Sequence, residues 1–311
     1  MKSGRQADDL RKVRVLVNPK SGAGASFGSF WGLVEKHWGG DPIDVSYQFS
    51  NDVADGKRKT ERAIHDGVDT ILVAGGDGMV NSIGAGLVGS SVALGVIPTG
   101  SGNGFARHFG IPLDIEEAVK ALRDARRCPI DVGTANGRPF FVTCSMAWDA
   151  AIVRGFEALP FRGIAPYVFA AATELIGYDA QPFEVDLDEG REQHSFPNPV
   201  IFTVANLTQY GGGAQIAPQA RPDDGLMEMV VVLRQDLPLL LVNIGRLFNG
   251  TVDQLSQVFT QRFRSMDVRR RNAASIQLDG ELVAAGPDVE IRLLPRALSV
   301  LVPASAATAA P

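Results

Sequence analysis

Two glycine-rich loops, each directly after a short apolar run, restrict the possible folds of this chain more than any other feature. The first, residues 75–78 (GGDG), follows the apolar run 70–74, and the second, residues 98–104 (PTGSGNG), follows 92–97. A short apolar run bounded by turn residues is typical of a buried strand. Strands that alternate with helices indicate right-handed βαβ units, and loops at the carboxyl ends of adjacent parallel strands lie side by side. The pair therefore predicts an α/β domain with both loops at one edge of its sheet.

Flanking segments extend this α/β pattern over residues 11–130. Residues 13–18 and Ile43–Phe49 have the apolar content of strands, and residues 53–66 are predicted to be helical. Asp114, followed three residues later by a glutamate, begins a further helix as in a capping box. A helix after the first loop is predicted to bury the face of Met79, Ile83 and Leu87.

From Asp131 onward, strand-like segments separated by turn residues replace the alternation, which predicts a second, mostly antiparallel β domain. Two helices are expected within it, near residues 165–176 and 237–248. A length of 311 residues suits two domains rather than one. The predicted strands of the second domain are 140–143, Phe183–Leu187, 200–205, 226–233, 275–278 and 289–294.

Composition excludes several classes of protein. Hydrophobic residues make up 45% and charged residues 21%, which is typical of a globular protein, and the net charge of −5 provides no global basic field for nucleic acid. Cys128 and Cys144 show no metal-ligand spacing, and a reduced, cytosolic setting is expected. No apolar stretch approaches the ~20 residues of a membrane helix, and the polar N-terminus shows no signal peptide.

The glycine loops suggest phosphate binding. Glycines allow backbone N–H groups to approach phosphate oxygens closely, and a helix N-terminus adds partial positive charge. Asp77 would repel phosphate unless a cation lay between them, so it suggests Mg²⁺. The alternative is a tight turn with Asp77 as the N-cap of the next helix. Neither a P-loop nor a dinucleotide fingerprint occurs, so the nucleotide site would be of another kind.

Two acidic motifs lie in the second half of the chain, after the glycine run 211–213. Asp223 and Asp224 precede a glycine and could hold a hard cation, or could form a turn before a strand. Asp279 and Glu281 flank Gly280 and could supply a general base and a metal contact, or could form a hairpin turn.

The order of these motifs resembles the diacylglycerol kinase catalytic-domain family, which includes bacterial soluble lipid kinases, sphingosine kinases and ceramide kinases. The resemblance covers residues 13–302. It implies an ATP- and Mg²⁺-dependent lipid kinase with an α/β N-terminal doubly wound nucleotide-binding domain plus a mainly antiparallel β-sandwich-like C-terminal domain. The expected boundaries are 11–130 with a return strand 295–302, then 131–294, then a flexible tail 304–311.

The resemblance also implies site residues. Mg²⁺ would be held by Asp224 with the carbonyls of Arg221 and Leu226, and would be reached by Asp77 through water. Glu281 would accept the hydroxyl proton beside Asp279, although which of these two is the general base stays open. The residues implied in ATP binding are Asn18, Ser50, Gly75, Gly76, Asp77, Gly78, Met79, Val80, Asn81, Thr99, Gly100, Ser101, Gly102 and Asn103.

Three departures from the family pattern bear on the acceptor. Ser82 stands where a glutamate is common, Gly104 where an aspartate is common, and the Gly-Phe-Asp-Ala motif appears as residues 147–150 (AWDA). The last two are similar to the sphingosine and ceramide kinase branch and favour a sphingoid or ceramide acceptor over diacylglycerol. Asp149 would then bind the lipid head group, or would be a structural residue at a domain turn.

Two rival interpretations remain: a soluble-metabolite kinase of the NAD kinase type, and a non-catalytic lipid-binding protein on the same scaffold. The expected setting is cytoplasmic with peripheral membrane association, a lipid substrate at the membrane surface, no nucleic-acid partner, no transmembrane segment and a possible homodimer. The arginines 262, 264 and 269–271 could attract an anionic leaflet or form a solvated edge. The apolar run 156–169 could line a lipid slot or fill a core.

Overall fold

The computed structural model describes residues 11–19, 27–40, 42–150 and 178–304. The predicted helix 165–176 and the whole apolar run 156–169 lie outside these residues. The chain divides into two compact units, residues 1–130 with 296–311, and residues 131–295.

The first unit is an α/β domain around a parallel sheet. The strands follow the order β2-β1-β3-β4 and then the last strand of the chain, all parallel. The helices pack in pairs, α1 against α5 and α2 against α3. The elements are β1 Arg11–Val17, α1 Phe27–Trp38, β2 Ile43–Phe49, α2 Val53–His65, β3 Thr70–Gly75, α3 Asp77–Leu87, β4 Ala93–Pro98, α4 Gly104–His108, α5 Ile115–Arg123 and β5 Arg126–Ala135, which continues into the second unit.

Burial explains why the local sequence adopts these elements. Every residue of β3 and β4 is buried, as their unbroken apolar runs require for central strands of a parallel sheet. Helix α3 buries Val80, Ile83 and Leu87. The prediction that Met79 is buried with this face was wrong, because Met79 is only half-buried. Its sulfur lies close to Gly75, where a Cβ atom would be 2.7 Å away.

The second unit is an antiparallel β-sandwich. One sheet has the order β14-β13-β10-β7-β16-β17, and in the other β15 pairs with β8 and β8 with β9. One apolar core joins side chains from both sheets, among them Phe202 and Met229 from one and Val185 and Val268 from the other. The elements are β6 Arg138–Phe140, β7 Thr143–Ser145, β8 Phe183–Leu187, β9 Glu192–Phe196, β10 Pro199–Ala205, β11 Gln209–Gly211, β12 Ala214–Gln215, β13 Met227–Leu233, α6 Leu237–Val242, α7 Gly245–Phe248, β14 Phe259–Phe263, β15 Ser265–Arg270, β16 Ile276–Leu278, β17 Glu281–Val283 and β18 Asp288–Val302, with 3₁₀ turns at Arg234–Asp236 and Val252–Gln254.

Two predicted elements of this unit are interrupted. The strand expected over 140–143 is split between β6 and β7, because the backbone N–H groups of 141–143 bind the side chain of Asp279. The helix expected over 237–248 is split into α6 and α7 at Asn243, whose side chain and backbone N–H groups both donate to the Leu239 carbonyl.

The last strand, β18, belongs to both units. Its first half pairs antiparallel with β15 in the second unit, and its last residues pair parallel with β4 in the first. Arg296, with a φ of 51°, lies where the strand passes from one unit to the other.

Candidate active site

The two glycine loops of the first unit contact each other through their backbones. The Thr99 N–H donates to the Gly75 carbonyl at 3.1 Å. A Cβ atom on Gly100 would lie 2.6 Å from the Cα atom of Gly76, and one on Gly76 would lie 3.2 Å from that of Gly100. Glycine is therefore required at both positions, because the backbones of the two loops approach too closely to leave room for a side chain. The prediction that the two loops lie at one edge of the sheet is confirmed.

Asp77 connects the first loop to the second. Gly76, not Asp77, is the N-cap of α3, so the N-cap interpretation was wrong for this helix. The Asp77 carboxylate instead accepts hydrogen bonds from the N–H groups of Gly104 (3.1 Å) and Phe105 (3.3 Å) at the start of α4. It thus satisfies N–H groups that a helix start leaves without partners.

The second loop is closed by its own asparagine. Asn103 adopts the left-handed conformation (φ 51°), and its side chain accepts from the Gly100 N–H at 3.1 Å and donates to the Gly100 carbonyl at 2.8 Å. Beside it, the Thr99 hydroxyl oxygen is buried and has no hydrogen-bond partner among the described residues. Buried hydroxyl groups usually have a hydrogen-bond partner, so a bound ligand with an oxygen acceptor, such as a phosphate, would provide the partner that Thr99 lacks.

The remaining residues implied in ATP binding lie mostly at the same edge. The Asn18 N–H donates to the Ala74 carbonyl, and the Ser50 N–H donates to the Val17 carbonyl. Ser50 is buried, with its hydroxyl 3.4 Å from the Asp52 carbonyl. Val80 differs from the rest, because its side chain lies in the core and leaves only its backbone for a ligand.

In the second unit, the predicted metal loop is held by a residue that the sequence analysis missed. The buried Asp131 accepts from the Gly225 N–H at 2.7 Å, and its own N–H donates to the Pro222 carbonyl at 2.5 Å. Asp224 accepts from the Leu226 N–H at 3.1 Å and forms an ion pair with Arg262. The only sequence signal for Asp131 was its place where the α/β pattern ends.

The oxygen donors of this loop suit Mg²⁺ chemically. A carboxylate with backbone carbonyls is a donor set of the kind that a hard cation takes, and Mg²⁺ commonly uses one or two carboxylates and keeps several waters. Among the described residues there is no cluster of three or more His, Cys, Asp or Glu side chains that could hold a metal. A site in which Asp224 is the one protein carboxylate stays a prediction.

A second missed residue, Glu228, lies beside Asp224. Glu228 faces Arg262 across the strands β13 and β14, with 3.8 Å between Oε1 and Nε. Burial raises the pKa of Glu228 to about 7; the nearby Arg262 lowers it, and Asp253 and Asp224 raise it. Arg262 is thus shared between an exposed and a buried carboxylate.

Asp279 and Glu281 lie on the hairpin between β16 and β17. Asp279 and Gly280 have φ values of 48° and 95°, as the two central residues of a type I′ turn require. The Asp279 carboxylate accepts hydrogen bonds of 2.7, 2.8 and 3.0 Å from the N–H groups of Phe141, Val142 and Thr143. Glu281 retains an exposed surface, and partial burial raises the pKa of its carboxyl above the usual range.

Asp149 is buried within a polar network. Its carboxylate accepts from the Thr203 hydroxyl at 2.6 Å and from the N–H groups of Ala147 and Ala150 at 3.0 and 3.1 Å. Burial raises its pKa to about 6, and the hydrogen bonds from Thr203 and Ala147 oppose that increase. These contacts give Asp149 a structural part in the second unit, and its binding of a lipid head group stays a prediction.

Comparison with known proteins agrees with this arrangement. Residues 12–135 match the family described as diacylglycerol kinase catalytic domain, and residues 143–302 match the YegS C-terminal NAD kinase beta sandwich-like domain. A diacylglycerol kinase from Mycobacterium tuberculosis strain H37Rv is 30% identical over 95% of this chain and 96% of its own length. The chain belongs to the diacylglycerol kinase catalytic-domain family. The predicted fold and the predicted enzyme class, a lipid kinase, are confirmed.

Two further relatives of this lipid kinase cover most of its length. A protein named as a YegS-like lipid kinase from Klebsiella pneumoniae strain 342 is 27% identical over 84% of this chain and 87% of its own. The solved structure of a diacylglycerol kinase from Bacillus anthracis strain Sterne has a TM-score of 0.74 with 21% identity, covering 96% and 98% of the two chains. That structure shows the shared fold.

The arginine cluster of this lipid kinase is exposed except at Arg270. Arg270 is buried and donates to the carbonyls of Ala274 and Gly286, and Arg262 contacts Asp224. Both the anionic-leaflet and the solvated-edge interpretations were therefore wrong for Arg270. Among the described residues, no helix has the length and apolar character needed to cross a membrane.

Proposed function

We propose that this protein transfers the γ-phosphoryl group of Mg-ATP to a hydroxyl group of a membrane lipid. The observation that carries the proposal is the backbone contact of Gly76 with Gly100, tied by Asp77, at the carboxyl edge of a parallel sheet. The relative from M. tuberculosis bears the name diacylglycerol kinase, which favours diacylglycerol as the acceptor over ceramide or sphingoid bases.

The first unit would hold the nucleotide. Backbone N–H groups of the two loops and the N-terminus of α3 would bind the phosphates. The buried Thr99 hydroxyl would donate to a phosphate or ribose oxygen and so gain the partner that it lacks among the described residues. Asp77 would keep the two loops in register through its hydrogen bonds to the N–H groups of Gly104 and Phe105.

The second unit would supply the cation ligands and the base. Asp224 and the carbonyls of Arg221 and Leu226 would hold Mg²⁺, which when bound neutralises phosphate charge. Glu281 would accept the proton of the attacking hydroxyl, since a carboxylate with a raised pKa is a better base near neutral pH. Asp279 would position Glu281, because its own oxygens already bind three backbone N–H groups.

The test is transfer of radiolabelled phosphate from ATP to lipids in mixed micelles, with diacylglycerol, ceramide and sphingosine as acceptors and NAD as a soluble control. Label in diacylglycerol would support the proposal, and label in ceramide or sphingosine would correct the acceptor. Label in NAD alone would favour the NAD kinase type of reaction. No transfer to any acceptor would favour the non-catalytic alternative.

A pair of variants tests whether transfer depends on the glycine loops. Asp77→Ala should abolish most transfer and weaken ATP binding without unfolding the protein, whereas the exposed Asp44→Asn on β2 should leave both unchanged. Activity of Asp77→Ala equal to the unmodified protein would remove Asp77 from the mechanism.

A further inference from the structure

We propose that α6 and α7 form the surface by which the protein docks on a bilayer that contains anionic lipids. This segment, residues 237–248, is called the apolar helix pair. Its outward side chains are apolar: Leu239, Val242 and Phe248 are 49%, 83% and 43% exposed. Exposed apolar patches on a soluble domain mark sites of interaction with proteins or membranes. The inference rests on the proposed function, since a kinase for membrane lipids has to reach a bilayer.

The apolar helix pair is firmly attached to the second unit by its inward side chains. Leu237 and Leu240 are buried in an apolar cluster with Val230, Val232 and Val252. A helix that buries one face in a soluble domain normally carries polar residues on the other. Because both faces of α6 are apolar, core packing accounts for only the inner one.

Charge around the apolar helix pair is complementary to anionic head groups. Residues 237–245 contain no charged side chain, and the arginines Arg234 and Arg246 flank that stretch, with Asp236 as the one acidic residue between 234 and 249. The two guanidiniums donate to the carbonyls of Tyr178 (2.6 Å) and Thr251 (3.3 Å). Neither has an acidic partner among the described residues, so their positive charge is available to lipid phosphates.

The same charges disfavour a second copy of the chain as the occupant. A two-fold contact places the same patch on both sides of the interface. It would bring Arg234 and Arg246 towards their own copies, with only Asp236 to offset them. A bilayer takes up the apolar side chains and pairs the arginines at once, as interfacial segments with basic and apolar residues do.

The experiment is flotation of the full chain with two kinds of vesicle. One is phosphatidylcholine alone, and the other contains about 30% phosphatidylglycerol, whose negative charge attracts basic side chains. The unmodified protein should bind the anionic vesicles. Leu239→Ser with Val242→Ser should weaken binding about tenfold or more. The double variant Arg234→Gln with Arg246→Gln should weaken binding to the anionic vesicles by about fivefold for each arginine removed. Its binding to vesicles of phosphatidylcholine alone should not change.

The control is Trp31→Ser with Leu113→Ser, which removes two other exposed apolar side chains (48% and 42%) from the first unit and should leave vesicle binding unchanged. Thermal melting of each variant checks its folding. Phosphate transfer to a short-chain diacylglycerol in detergent should be the same in all variants, because no bilayer is involved.

Three outcomes separate this inference from the proposed function. Equal vesicle binding by the Leu239/Val242 variant and the unmodified protein would overturn the docking surface while leaving transfer intact. A change of that variant from dimer to monomer, with vesicle binding unchanged, would assign the patch to a second copy and also overturn it. Vesicle binding that depends on the patch, in a protein without any lipid phosphorylation, would support the surface and refute the kinase proposal.

Discussion

At the scale of single residues, the acidic side chains differ chiefly in what their oxygens already bind. Asp279 accepts three backbone N–H groups and Asp77 accepts two, and both join segments that are far apart in the chain. Glu281 lies two residues beyond Asp279 and has a raised pKa caused by burial. This division favours Glu281 as the proton acceptor and Asp279 as the residue that positions it.

The first prediction contrasts these two carboxylates. Glu281→Gln should lower phosphate transfer by about 10²–10⁴-fold, the usual contribution of a general base, with an unchanged unfolding midpoint. Asp279→Ala should instead destabilise the protein by about 3 kcal/mol or more, because buried N–H groups left without acceptors cost about 1–3 kcal/mol each. Urea unfolding and the transfer assay measure the two effects. Normal stability of Asp279→Ala would contradict the anchoring role.

The second prediction concerns the pH dependence of stability through Asp149. Its pKa is raised on folding from 3.8 to about 6, so the native state binds the proton more tightly than the unfolded state. The resulting stability is fully present below pH 3.8 and is lost as the pH rises to about 6. The unfolding free energy of Asp149→Asn, relative to the unmodified protein, should therefore increase over that window and then level off. A difference independent of pH would show that Asp149 does not titrate there.

The third prediction concerns Arg262, which pairs with the proposed cation ligand Asp224. Arg262→Gln should tighten binding of Mn²⁺, used as a spectroscopic substitute for Mg²⁺, by about tenfold, because a positive charge is removed beside the site. Electron paramagnetic resonance of free Mn²⁺ measures the affinity. The exposed Arg264→Gln serves as the control and should change it little. Weaker Mn²⁺ binding in Arg262→Gln would contradict the assigned site.

At the scale of elements, the proposed nucleotide site depends on two loops whose backbones contact each other directly at glycines. Strands β3 and β4 pair in parallel along their whole length and deliver Gly76 and Gly100 to the same edge. Asp77 then fixes the second loop against the first, and Asn103 closes the second loop on itself. A nucleotide site built in this way tolerates little added volume.

The fourth prediction follows from that close contact. Gly100→Ala should raise the KM for ATP and lower transfer at least tenfold, because its methyl group would lie 2.6 Å from the Cα atom of Gly76 and force the loops apart. The control is Gly32→Ala in α1, where a Cβ atom meets nothing within 4 Å and alanine favours the helix. Steady-state kinetics at varied ATP compares them. Unchanged kinetics in Gly100→Ala would mean that the loops separate without consequence.

At the scale of the whole molecule, the last strand returns to the unit with which the chain began. Residues Leu298, Val300, Leu301 and Val302 of β18 are buried in the first unit. The parallel sheet of that unit is thus completed only after the second unit has been made.

The fifth prediction tests that dependence. Leu301 is 1% exposed and lies near Gly95 and Leu72, so Leu301→Ala should lower the free energy of unfolding by about 2–5 kcal/mol, as buried leucine truncations do. Leu294→Ala lies on the same strand at 37% exposure and should cost much less. Urea unfolding followed by tryptophan fluorescence compares the two variants. Equal losses would show that the end of β18 contributes no special stability.

The sequence by itself determined the class of each unit and the place of the glycine loops. Apolar runs, turn residues and helix periodicity are local signals, since each reflects neighbours within a few positions of the chain. The order of the motifs was enough to identify the family, and the α/β and antiparallel regions followed from the change of pattern at Asp131. Strands β9 and β14 were missed because few of their residues are apolar, and β15 was missed because the buried Arg270 stands where an apolar residue is expected.

Only the tertiary structure decided what the functional candidates contact. Asp77 binds an N–H group 27 residues away, Arg262 meets Asp224 across 38 residues, and Asp279 binds Phe141 across 138. Such contacts leave no periodic trace, because each depends on one pair of atoms brought together by the folding of distant segments. For the same reason the apolar pattern of 237–248 could predict a helix but not which of its leucines would face the core and which the solvent.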